Sequence, residues 1–272
     1  MAWGGCVLDT AVRTTSAGSR PAERQAASMR ARTSAARSAM DDGAEAGEEG
    51  VMILPAGYSD DARTLWDVAT ALNRAAAAVS PKAAGLPPLL FLTDPERTPQ
   101  PWETAARLPP GSAVIYRAFG APDAIEIGRR LRVSTATAGA RLLVGLDADL
   151  ADALEADGLH LPERAMNQAP AVRRLKPDWL ITAAWHGDIE PQTNGLDALI
   201  LSPVFPAGGA SASKPALGVA RFATKAQGAR LPVYGLGGVG PDNAASLIGS
   251  GACGLAGVGA VAAAFAAPSI RT

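Results

Sequence analysis

The stretch Leu231-Pro232-Val233-Tyr234-Gly235-Leu236-Gly237-Gly238-Val239, followed by Gly251-Ala252-Cys253-Gly254-Leu255-Ala256-Gly257-Val258-Gly259, decides the fold. Two glycine clusters lie about 20 residues apart, each beside a short apolar run. Between them Pro241 to Ile248 reads as a short helix, because Pro241 fixes φ at its start and Gly249 stands just past its end. Strand, glycine turn and helix, twice in succession, is the pattern of the last two units of a (β/α)8 barrel. In that fold the loops after strands 7 and 8 commonly hold a phosphate through backbone N–H groups and a helix N-terminus. Gly237, Gly238, Val258 and Gly259 are the residues expected to do so here, since a side chain would keep the anion from the amides. The same glycines also suit ordinary tight β-to-α turns.

Upstream, a β/α alternation begins at Leu89 and does not stop. Short apolar runs place strands near Leu89–Thr93, Ala113–Arg117, Leu142–Leu146, Gly158–Leu161, Trp179–Ala183, Ala198–Ser202, Pro232–Leu236 and Gly254–Val258. Such runs are expected when a parallel strand is buried on both faces. Helical stretches separate most of them: Trp102–Leu108, Ala121–Leu131, Asp149–Ala156, Gln168–Leu175, Val219–Gln227 and Pro241–Ile248. Gly187 to Leu196 carries Pro191, Thr193, Asn194 and Gly195 and reads as an irregular loop. Eight strands in this order predict a compact (β/α)8 TIM barrel over residues 89–267. One amphipathic helix, Asp60 to Val79, precedes it within a 51–88 helix-and-linker segment, capped by Ser59 or Asp60 and striped by Leu65, Val68, Ala69, Leu72 and Val79.

Residues 1–50 differ in kind. Six arginines from Arg13 to Arg37 are scattered through Ala, Ser, Thr and Gly, and an acidic patch runs from Asp41 to Glu49. With few residues able to join a core, a disordered extension is expected. Its composition has the look of an organelle transit peptide, but Met40 and Met52 each offer a shorter start, and that simpler reading is preferred.

Composition narrows the function. Of 272 residues 48% are hydrophobic and 19% charged, with a net charge of −1, so neither nucleic acid nor an anionic membrane is an expected partner. No apolar run reaches the ~18 residues of a membrane span. Cys6 and Cys253 are the only cysteines, which argues against a disulfide framework or cysteine metal site and for a reducing, cytoplasmic setting. Oligomeric state is left open, a homo-oligomer included.

Active sites in these barrels lie at the C-terminal strand ends. Polar groups there are Asp94 after strand 1, Arg117 after strand 2, Asp147 after strand 3, Glu163 after strand 4, His186 after strand 5 and Ser202 after strand 6, with Lys214 in a glycine-rich loop beyond. The chain has two histidines. His186 sits just past its strand beside a glycine, where an imidazole suits proton transfer. His160 lies inside its strand and reads as a hydrogen-bonded core position. Trp185 either walls a flat ring or packs in the core. Arg117 needs a partner, a carboxylate or an anionic ligand, whereas Asp94, Asp147 and Asp149 suit turn and helix starts. His160, Glu163 and Asp147 lack the spacing of a metal site.

From about Leu89 to Ala264 the chain resembles the thiamine-phosphate synthase/TenI-like thiazole tautomerase superfamily of small phosphate-binding barrels. Matching stretches, in order, are Ala156-Asp157-Gly158-Leu159-His160-Leu161-Pro162, Trp185-His186, Leu201-Ser202-Pro203-Val204-Phe205-Pro206 and Lys214-Pro215-Ala216-Leu217-Gly218, then the two glycine stretches quoted above. The departures fall on the synthase branch. Its Gln-Leu-Arg-x-Lys is here Ile115-Tyr116-Arg117-Ala118-Phe119, keeping the arginine without the lysine. Its Asn-Asp after strand 3 falls on Gly145-Leu146, with Asp147 one residue on, and its Gly-Gln-x-Asp falls on Pro162-Glu163-Arg164-Ala165. Magnesium needs hard oxygen ligands, so the resemblance implies the tautomerase branch, with no metal and no cofactor; Mg2+ would be required only by a synthase. It implies that His186 moves protons on a phosphorylated thiazole, and that Arg117, Ser202, Lys214, Gly237, Gly238, Val258 and Gly259 bind it. The alternatives are a divergent thiamine-phosphate synthase and a non-catalytic precursor-binding or regulatory barrel.

Overall fold

The computed structural model describes residues 54–208 and 214–267. The extension expected over residues 1–50 lies outside the described residues. The first element, α1 (Asp60–Val79), starts where Ser59 Oγ accepts the Ala62 N–H at 3.1 Å, with Asp60 and Asp61 in the positive first turn. Its stripe of Ala62, Leu65, Trp66, Val68, Ala69 and Leu72 is buried.

Eight parallel strands follow: β1 (Leu89–Leu92), β2 (Ala113–Tyr116), β3 (Arg141–Gly145), β4 (Gly158–Leu161), β5 (Leu180–Trp185), β6 (Ala198–Leu201), β7 (Val233–Gly235) and β8 (Ala252–Gly257). They close in sequence order, with β8 returning to β1 through Leu90↔Ala256. The covering helices are α2 (Pro101–Ala105), α3 (Ala124–Ala138), α4 (Ala148–Ala153), α5 (Ala169–Leu175), α6 (Gly218–Gly228), α7 (Pro241–Ala244) and α8 (Gly259–Ala264). Gly187 to Leu196 contains no helix, in keeping with Pro191 and with Gly187 and Gly195 near the ends of the segment.

Both strand faces are buried because the barrel has two apolar layers. Leu90, Leu92, Ala113, Ile115, Leu143, Ile200, Tyr234 and Ala256 form the inner cluster. Leu89, Phe91, Val114, Leu142, Val144, Leu159, Leu161 and Leu199 form the outer one with the helices. The two-residue strand period carries His160 and Thr182 inward and turns Arg117 and Ser202 the same way at their strand ends.

The leading helix belongs to the outer layer. It packs on β8, α7 and α8. Ser59 Oγ donates to the Ala264 carbonyl at 2.8 Å, and Asn73 Nδ2 faces the carbonyls of Ala83, Leu86 and Cys253 at 3.2–3.3 Å. The physical reason is length: α8 has six residues, too few to cover β8, and the 20-residue α1 supplies the missing apolar face.

Strand β5 runs two residues beyond its expected end. Ala184 and Trp185 pair with Ile200 and Leu201 of β6, which delivers His186 directly at the strand's C-terminus. A cleft of about 370 Å³ opens at the other, N-terminal end, lined by Lys82, Arg141, Arg173, Asp178 and Asp197 among others. There Asp197 accepts the Ile181 N–H at 2.7 Å and pairs with Arg173, as Asp157 accepts the Leu142 N–H and pairs with Arg132, both at 2.8 Å. These pairs tie strand starts together, which is the stabilising role of that end of the barrel.

Candidate active site

His186 is held from three sides. Trp185, 4% exposed, is a packing aromatic in the outer core, and its indole Nε1 donates to the Ile189 carbonyl at 2.8 Å. That bond bends the loop back over the strand end. Lys225 of α6 donates its ammonium to the Gly187 carbonyl. From the loop after β4, the Glu163 carboxylate accepts the His186 backbone N–H at 2.9 Å and meets ring Nδ1 at 2.6 Å. Both side chains are 24% exposed, so water still reaches the pair.

Arg117 lies across the mouth from β2. Its backbone N–H donates to Thr93 Oγ1 at 2.9 Å and its Nε to the Thr93 carbonyl at 2.7 Å. Asp94 is the carboxylate partner its position required, with Oδ2 3.5 Å from Arg117 Nη2. Asp94 also accepts the Glu96 and Arg97 backbone N–H groups, at 3.2 and 3.1 Å, and the Arg97 guanidinium at 2.9 Å. The Arg97 side-chain bond is the main cause that lowers its pKa. Arg117 Nη2 is buried and makes no hydrogen bond. Phe119, strained at φ 51° and exposed, stands with its ring centroid 5.4 Å from the guanidinium.

Beneath this arginine His160 is buried, with Nδ1 2.9 Å from Thr182 Oγ1. Burial, aided by the nearby Arg117 charge, pushes its pKa down to about 3. It is therefore a neutral core histidine at physiological pH and carries no proton to the mouth.

The two glycine turns stand side by side, with a Cβ on Gly240 reaching only 3.7 Å from Ala260 Cβ. Gly237 and Gly238 have φ of 94° and 64°. A Cβ on Gly237 would lie 2.7 Å from Pro203 Cα, and one on Gly238 2.4 Å from the Pro206 oxygen. These glycines are thus required for packing whatever they bind. Asn243 clamps the turn, donating to the Gly238 carbonyl at 2.8 Å and accepting the Gly240 N–H at 3.0 Å. Gly259 differs, because a Cβ there meets nothing within 4 Å. It opens α8, whose first N–H groups have no acceptor within the helix. Ser202 is buried at the end of β6. Lys214 is exposed, just after residues 209–213, which lie outside the described residues.

Residues 89–261 match the family described as Thiamine monophosphate synthase, TMP-TENI. The thiamine-phosphate synthase of Moorella thermoacetica is 32% identical over 145 residues, 52% of this chain and 69% of that protein. The putative thiamine-phosphate synthase of Geobacter sulfurreducens is 32% identical over 140 residues, 50% of this chain and 66% of that protein. The thiamine phosphate pyrophosphorylase structure from Pyrococcus furiosus superposes with a TM-score of 0.55 at 26% identity, covering 67% of this chain and 89% of that one. The chain belongs to the thiamine monophosphate synthase family.

For a member of the thiamine monophosphate synthase family, the rim carboxylates decide whether Mg2+ fits. Asp94 is engaged by Arg97 and two backbone N–H groups. Asp147 caps α4, accepting the Leu150 N–H at 2.8 Å. Glu163 is engaged by His186. Among the described residues no three His, Cys, Asp or Glu side chains gather into a metal-holding group. Mg2+ takes one or two carboxylates together with its substrate's phosphates, and here each of these rim carboxylates is already hydrogen-bonded within the protein.

The contact of Glu163 with His186 is not legible in the sequence. Glu163 lies 23 residues from His186 in sequence, on a different loop, and only the β4–β5 pairing brings the two together. The signal available was an acidic residue immediately after strand 4.

Proposed function

We propose that the chain binds a phosphorylated thiazole at the C-terminal rim and catalyses an aromatising proton shift on its ring. The His186–Glu163 pair carries this reading: an imidazole anchored by a carboxylate, reached by water, at the end of β5. His186 serves as general acid/base, taking a ring proton and returning it elsewhere on the same molecule. The backbone of Gly237, Gly238, Val258 and Gly259 holds the phosphate, as loops after strands 7 and 8 of such barrels do. Arg117 faces a substrate carboxylate with Nη2, which is ion-paired with Asp94 at 3.5 Å but makes no hydrogen bond, and Ser202 and Lys214 complete the wall. A ring proton shift needs neither metal nor cofactor. Among the described residues no helix is long and apolar enough to cross a membrane, and we place the reaction in the cytoplasm.

The relatives' names favour a second reading, thiamine-phosphate synthase, in which thiazole and pyrimidine halves are joined with loss of pyrophosphate. Against it stand the engaged carboxylates and Phe119 at the position of the second phosphate-gripping cation.

Turnover assays with a thiazole carboxylate phosphate tautomer, and with both thiamine precursors with and without Mg2+, separate the readings. Tautomer conversion without metal is the expected result. Robust Mg2+-dependent thiamine phosphate formation would overturn it in favour of the synthase. Tight binding with neither turnover would make the barrel a non-catalytic binder.

A further inference from the structure

We infer that Glu163 is a positioning residue that fixes the tautomer of His186, keeping the proton on Nδ1 and the lone pair on Nε2. A carboxylate has only acceptor oxygens, and these two are spent on one residue. Oε1 takes the His186 backbone N–H at 2.9 Å and Oε2 takes ring Nδ1 at 2.6 Å. The short second contact, between a carboxylate oxygen and a ring nitrogen, requires the hydrogen to lie between them. Because Glu163 grips ring and backbone together, it also locks the side-chain torsion, so the imidazole neither flips nor swings from the mouth. Nε2 is then the sole atom of His186 able to accept a proton from a bound ring. His160 obeys the opposite rule: its Nδ1 meets a hydroxyl, which donates or accepts and imposes no tautomer.

The tautomer follows from contacts alone, while its catalytic consequence rests on the proton-shift reading above. The chain has two histidines, so 15N-labelled full-length protein at pH 8 gives two imidazole patterns, which a His186→Asn variant assigns. In wild type, His186 is expected to show a protonated Nδ1 and an unprotonated Nε2. In Glu163→Ala the pattern moves toward the Nε2–H form that free imidazole prefers, while the His160 signals stay in place and report an intact barrel. With the tautomer lost, kcat for the thiazole substrate is expected to fall about 10²-fold or more at nearly constant KM. In Glu163→Gln one acceptor oxygen serves two donors, and kcat lies between those of wild type and Glu163→Ala. An Nε2–H pattern in wild type, or an unchanged pattern in Glu163→Ala with His160 in place, overturns the assignment. A tautomer switch in a protein that turns over no thiazole at all leaves the assignment standing and sinks the proton-shift reading instead.

Discussion

Arg117 Nη2 stands 3.5 Å from Asp94 Oδ2 yet forms no hydrogen bond there, while Asp94 already accepts from Arg97 and two backbone N–H groups. The arginine is thus held by Thr93 and left with a donor in hand. An arginine in this state is desolvated but not repaid in full, and an arriving carboxylate or phosphate completes it.

Arg117→Met tests that relationship. Asp94 keeps its other donors, so no buried charge is orphaned and the thermal midpoint should change little. Binding of the thiazole carboxylate phosphate should weaken roughly 10- to 100-fold, the equivalent of one charge-assisted hydrogen bond. The measurement is thermal unfolding with and without ligand; an undiminished ligand-induced shift in the variant would remove Arg117 from the binding site.

His160 makes stability depend on pH. Burial beside Arg117 pushes its pKa to about 3, whereas in the unfolded chain the imidazole takes a proton near 6.5. Between those values the unfolded chain binds more protons than the folded one, so stability is full above pH 6.5 and falls as pH drops. Urea unfolding at pH 7 and pH 5 should show this loss in wild type and a smaller one in His160→Asn, which keeps a polar partner for Thr182. His186 and the carboxylates are common to both proteins, so the difference between the two losses belongs to His160. Equal losses in the two proteins would contradict the assignment.

The fold was legible because the outer and inner layers leave every strand an apolar run, and Pro241, Gly237 and Gly249 punctuate the turns between them. The gathering of Arg117, His186 and Ser202 on one rim was legible too, since parallel strands put their C-terminal ends together. What holds those residues was not. Asp94 reads as a turn residue and is one, but it also faces Arg117 across two loops. Glu163 reads as the start of a helical turn and reaches His186 only through the β4–β5 register. Nor does an amphipathic stripe name its partner: the Leu65 and Leu72 face of α1 could cover any apolar surface, and only closure of the barrel assigns it to β8.

That assignment separates two truncations. Residues 1–50 lack core-forming periodicity, so a chain beginning at Val51 should unfold at the same temperature as the full chain. A chain beginning at Pro87 loses α1 and with it Leu65, Trp66 and Leu72, each at most 2% exposed. At about 1.5–3 kcal/mol per buried side chain, these three approach the whole net stability of a domain, about 5–15 kcal/mol. Cooperative thermal unfolding should therefore vanish. A lowered midpoint in the first truncation would show that the extension packs on the barrel, and a normal melt in the second would detach α1 from the core.

The proposed phosphate-binding role of the β8 turn is best tested at Gly259. Replacing Gly238 by alanine confounds two effects, because its φ of 64° and the Pro206 oxygen 2.4 Å from the new Cβ both disfavour the fold itself. At Gly259 a methyl group enters open space, and alanine is a better helix residue than glycine. Gly259→Ala should therefore melt at the wild-type temperature or slightly above. The same methyl group stands beside the first free N–H groups of α8, where an anion must come close to the backbone. Affinity for the thiazole phosphate should fall about tenfold, near 1.4 kcal/mol, while a thiazole lacking the phosphate binds as before. Calorimetric titration of both ligands against both proteins reads this directly. Unchanged phosphate affinity in a variant that folds normally would return the β8 turn to an ordinary strand-to-helix connection and place the phosphate elsewhere on the rim.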